Sequence, residues 1–135
     1  MRKAYNWAMS KVGSGMQDRR EFGSSGGGSS KGQPIGGPGV IAGRWGDMQV
    51  TVDGEVLDPG PSQEIHNHSP GGFAWGYGGL GPAQLALAIL LKFSNRKTAI
   101  RLYQTFKADV VCRLPQADSF SMTTERVRFW LREWA

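Results

Sequence analysis

Residues 73–91, FAWGYGGLGPAQLALAILL, constrain this chain more than any other stretch, because two periodicities meet there. Phe73, Trp75 and Tyr77 alternate with Ala74 and Gly76. In an extended strand, a period of two puts three aromatics on one face and almost nothing on the other. Four glycines then fall within six residues, at Gly76, Gly78, Gly79 and Gly81. Pro82 follows where a helix tolerates proline, in its first turn. The run 83–91 is apolar except for Gln84. The stretch predicts a strand over 72–77, a tight turn, and a buried helix over 82–93.

The flanking residues predict the rest of an α+β domain. Met48, Gln49, Val50, Thr51 and Val52 alternate, Asp53-Gly54 supplies two positive-φ positions, and Glu55, Val56 and Leu57 return. This is a hairpin over 48–57 with Val50 facing Leu57. Residues 58–69, rich in Pro, Asn and Ser, read as loop. Asn95 caps a helix over 96–113, with Pro115 as its stop. Its apolar face is Ala99, Leu102, Tyr103, Phe106 and Val110, and Lys97, Arg101 and Gln104 lie opposite. A last helix, 124–134, spaces Val127, Trp130, Leu131 and Trp134 as a packed stripe. The expected architecture is a small three-stranded, mainly antiparallel sheet (the hairpin plus strand 72–77) packed on three helices (82–93, 96–113, 124–134).

With His68-Ser69-Pro70 ahead of it, the pattern HSP-G-GF-A-WGYGG-L-GPAQLALAIL resembles an uncharacterised family of small bacterial and phage proteins, a domain of unknown function. The resemblance is specific over 68–91, looser over about 48–134 and absent from 1–40. Members of that family typically carry an acidic residue where this chain has Ala74 and a small polar one where it has Leu80. The resemblance implies a phage or mobile-element setting and no particular activity.

Charge divides the chain. Residues 1–44 hold seven basic side chains (Arg2, Lys3, Lys11, Arg19, Arg20, Lys31, Arg44) against Asp18 and Glu21, so the whole net charge of +5 belongs to them. Residues 45–135 are balanced. Twelve glycines lie between Val12 and Gly46, including GSSGGGSS. Such a segment cannot bury enough apolar area to offset an ordering entropy of roughly 1–2 kcal/mol per residue. Residues 1–44 therefore read as a disordered basic tail and 45–135 as a single globular domain. A basic tail on a neutral body suits an anionic partner, nucleic acid or an acidic protein surface, and equally a solubilising leader. Residues 1–12 lack the apolar h-region of a signal peptide. Cys112 is the only cysteine, which excludes an internal disulfide and suits a reducing cytoplasm. No apolar run reaches the roughly 20 residues of a membrane span.

No motif in the chain is a complete catalytic set. Residues 76–81 satisfy G-x-G-x-x-G between a strand and a helix, but no acidic residue lies about 20 positions on; the first is Asp109. The simpler role of these glycines is close packing of Trp75 and Tyr77 against the helix entry. His66 and His68 project to one side of an extended backbone, yet with only a distant Cys112 they fall short of the four ligands of a structural zinc site. Ser69 before Pro70 is no nucleophile elbow. Gln84 is expected to satisfy loop carbonyls around Gly78 and Gly79. No catalytic residue, metal or cofactor is assigned. The expected function is a non-enzymatic interaction module of phage or mobile-element type. It would meet an anionic partner through Arg2, Lys3, Lys11, Arg19, Arg20, Lys31, Lys97 and Arg101, possible interference with host machinery included. The alternative is a small-molecule or phosphate-binding protein, or an enzyme, that uses His68, Tyr77, Gly78, Gly79 and Gln84.

Overall fold

A computed structural model of the chain describes residues 35–135. It is an α+β fold with four antiparallel strands: β1 (Val40–Arg44), β2 (Gln49–Val52), β3 (Glu55–Val56) and β4 (Phe120–Thr123), in the order β3-β2-β1-β4. Four α-helices complete it: α1 (Gly60–Ile65), α2 (Leu80–Phe93), α3 (Arg96–Asp109) and α4 (Thr124–Trp134).

The hairpin forms as its alternation predicts. Asp53 and Gly54 take φ of 55° and 81°, the turn that matches the right-handed twist of the strands. Thr51 pairs with Val56, and the Leu57 amide donates to the Val50 carbonyl at 2.8 Å.

The other strands differ from expectation. Residues 72–79 form no strand, because Gly72 (φ 116°) and Gly76 (φ 86°) turn the chain out of the extended region. The aromatic run is split in consequence: Phe73 and Trp75 are buried, whereas Tyr77 is 48% exposed. In its place stand β1 and β4, and β1 is the strand that joins the two halves of the sheet, pairing with β2 on one side and β4 on the other. Residues 40–44, assigned from sequence to the tail, thus belong to the folded body, with Ile41 fully buried. Glycines conceal them in the sequence, and at Gly43 the glycine is required. A Cβ there would stand 2.2 Å from the Phe120 ring and 2.9 Å from the Trp75 ring.

Ile41, Gly43, Val50, Val52, Phe120 and Met122 share the inner face of the sheet by register. The Trp75 indole lies on this face, edge-on to Phe120 at 4.9 Å, and its Nε1 donates to the Asp118 carbonyl at 2.7 Å. The opposite face is covered near its middle: the Thr51 hydroxyl donates to the Ile35 carbonyl, and Gly36 packs on Ala42 and Thr51.

The helices hold with altered ends. α2 starts at Leu80 with Gly79 as its cap, two residues earlier than expected, and every residue from Gly81 to Leu90 is buried. Asn95 caps α3 by accepting from the Thr98 amide at 2.8 Å. α3 ends at Asp109, not at 113; a 3-10 turn, Val111–Arg113, follows, so Pro115 is not its stop. The break sends the Val111 carbonyl to the Gly76 amide at 3.0 Å. α1 occupies part of the expected 58–69 loop, with proline in its first turn. α4 matches its stripe, with Val127, Trp130 and Leu131 buried.

Candidate functional site

Gln84 anchors the first candidate region. It lies in the first turns of α2, fully buried among apolar neighbours, so an unmet amide there would be costly. The side chain is satisfied at both ends. Oε1 accepts from the His68 and Ser69 amides at 2.8 and 2.9 Å, and Nε2 donates to Ser62 Oγ and the His66 carbonyl, each at 2.9 Å. Gln84 therefore clamps α1 and the 66–69 loop to α2 and does not serve Gly78 and Gly79 as expected. Its hydrogen-bonding groups are committed to the fold.

The clamp presents His66 and His68 side by side, their rings stacked at 5.3 Å and 18°. His68 Nε2 pairs with the buried Tyr103 hydroxyl at 2.7 Å. Burial, then the neighbouring His66 and Lys107, lowers the His68 pKa from its ordinary 6.5, which favours the neutral ring. Sequence reading placed Tyr103 in the core and missed this pairing, for which nothing local gives a signal. Among the described residues no group of three His, Cys, Asp or Glu side chains is placed to hold a metal ion.

The glycine segment is a packing device. A Cβ at Gly76 would lie 2.7 Å from the Pro115 carbonyl, at Gly79 2.5 Å from the Tyr77 ring, and at Gly81 2.6 Å from the Ala74 Cβ. A Cβ at Gly78 would lie 3.8 Å from the half-buried Cys112 sulfur, an ordinary contact. Of the five ligand candidates, Tyr77, Gly78 and Gly79 come together here. His68 lies in the loop after α1, where Gln84 of α2 holds its amide, and its ring engages Tyr103 of α3 instead.

The second region is cationic. Lys92 ends α2, Arg96 and Lys97 begin α3, and Arg101 lies one turn beyond Lys97; all four are exposed. None makes an ion pair among the described residues. Arg128 of α4 joins them by stacking over the Phe93 ring at 5.2 Å, while it and Arg132 reach Glu125 at 3.9 and 3.3 Å. Lys92 suits the negative end of a helix dipole, but Arg96 and Lys97 sit at the positive end of α3, where cations are disfavoured. Lys97 and Arg101, one turn apart, share a face as expected. Arg2, Lys3, Lys11, Arg19, Arg20 and Lys31 lie outside the described residues.

No helix among the described residues is long and apolar enough to cross a membrane. No curated protein and no solved structure matches the chain. A family of unknown function, DUF6166, matches residues 42–133, a span that takes in every strand and helix but the first two residues of β1 and the last residue of α4. The chain belongs to this family of unknown function.

Proposed function

We propose that the chain is a non-enzymatic interaction module, of the type carried by phages and mobile elements, that holds an anionic macromolecule, nucleic acid first, on its basic surface. By occupying that partner it would interfere with host machinery. One observation carries this reading: Lys92, Arg96, Lys97 and Arg101 are exposed within ten residues and have no carboxylate partner among the described residues. The sequence supplies none nearby, since no Asp or Glu occurs between Glu64 and Asp109. Two of these cations also sit at the N-terminus of α3, where the helix dipole works against them; a bound anion would relieve both costs. The basic residues of 1–34 add to the same sign of charge.

Binding of this kind releases counterions and weakens steeply with salt. The test is fluorescence anisotropy with a labelled DNA duplex across a salt series. It compares the full chain, a K97E/R101E variant and a chain that starts at residue 35. Truncation at 44 is unsuitable, because it would remove β1. The double reversal should weaken binding at least tenfold, and lower the slope of log K against log salt by about 2, one for each lost phosphate contact. Equal binding by K97E/R101E would end the assignment of this surface. Capture on an acidic polypeptide but not on DNA would move the partner to an acidic protein face.

A further inference from the structure

The folded body is neutral in sum but bipolar in space. Residues 45–91 contain five carboxylates and no Lys or Arg, whereas 92–135 contain nine cations and four carboxylates. Asp53, Glu55, Asp58 and Glu64 run along the β2–β3 turn, the edge strand β3 and α1, and all four are exposed. Two of them accept backbone hydrogen bonds, Asp53 from Gly39 and Asp58 from Gly60, and none makes an ion pair among the described residues. β3 is an edge of the sheet.

No ion pair joins the two charged regions among the described residues, and Lys92 lies well along α2 from the acidic one. Gln84 ties the loop after α1 to the N-terminal half of α2, and Lys92 stands eight residues farther along that helix. At 1.5 Å per residue the separation is about 12 Å along the axis, beyond the Debye length of about 8 Å at physiological ionic strength. The basic region also has an exposed apolar residue, Ile100, 39% exposed, on the same helix face as Lys97 and Arg101.

We infer that the acidic β3–α1 edge of one copy docks on the basic α2–α3 surface of a second copy, head to tail. The contact is heterologous, so the pair keeps one free acidic edge and one free basic surface, and the assembly extends beyond a dimer. Residues 35–135 carry ten basic and nine acidic side chains, so repulsion between whole bodies does not oppose it. The inference shares its basic surface with the function proposed above but stands on the charge pattern alone. Nucleic acid and a second copy would compete for that surface.

The experiment is sedimentation velocity on the full chain, on E55K/D58K, on K97E/R101E, and on an equimolar mixture of the two variants; all four altered residues are exposed, and circular dichroism verifies folding. The full chain should associate with increasing concentration at about 0.03 M salt, and its association constant should fall at least about tenfold at 0.3 M. Each variant alone should sediment as a monomer, and the mixture should associate again because its altered surfaces are complementary. A full chain that stays monomeric at low salt overturns the inference, as does association that survives either reversal. If E55K/D58K disperses the assembly and K97E/R101E does not, the basic residues of 1–34 occupy the acidic edge instead. A chain that associates but retains neither duplex DNA nor an acidic polypeptide keeps this inference and ends the functional one.

Discussion

Replacing Gln84 by leucine removes four hydrogen bonds of 2.8–2.9 Å while nearly preserving volume. Ser62 Oγ keeps a partner, because it also donates to the Pro59 carbonyl at 2.7 Å. The His68 amide, the Ser69 amide and the His66 carbonyl lose theirs. An unsatisfied buried polar group costs about 1–3 kcal/mol. Residues 66–69 are exposed or half-buried, so water recovers part of this, and the lower end of the range applies to each of the three. The expected loss is about 3–5 kcal/mol, a large share of the 5–15 kcal/mol of a typical domain. Gln84→Glu should also destabilise, since a carboxylate still accepts from both amides but buries a charge and turns an oxygen toward the His66 carbonyl. Urea unfolding followed by tryptophan fluorescence measures the differences, and hydrogen exchange at the Ser69 amide shows whether the loop is released locally. A loss below about 1 kcal/mol in Gln84→Leu, with Ser69 protection unchanged, would refute the clamp and free Gln84 for another role.

Two further perturbations test the fold and the histidine pair. Gly43→Ala places a methyl group against Phe120 and Trp75, and should lower stability by about 1–3 kcal/mol in the same unfolding assay, since both rings are held by the core. The His68 pKa is lowered in the folded state, so the unfolded chain binds more protons around and below pH 6.5. The stability this provides is present above pH 6.5 and is lost as pH falls through that value toward the folded pKa. His68→Gln should flatten the dependence of stability on pH in that window, and an unchanged profile would show that the ring titrates as it does in the unfolded chain.

Local chemistry specified much of this molecule. The Asp53-Gly54 turn, the Asn95 cap and the apolar spacing of α2, α3 and α4 are short-range features, so the chain itself reveals them. So is the surplus of cations between Lys92 and Arg101, legible because no carboxylate interrupts it. What tertiary structure decided depended on neighbours remote in sequence. Val40–Arg44 became the joining strand because β2 and β4 flank it, and Gly43, which weakens a strand taken alone, is what admits Phe120 and Trp75. Residues 72–77 had the alternation of a strand, but glycine backbone angles and the bond from Gly76 to Val111 turned them into an irregular support for Trp75. Gln84 found its partners 15–22 residues upstream, and His68 found Tyr103 35 residues downstream. Periodicity shows which face of a segment is apolar, but a polar side chain's partner is fixed only when distant segments are brought together by packing.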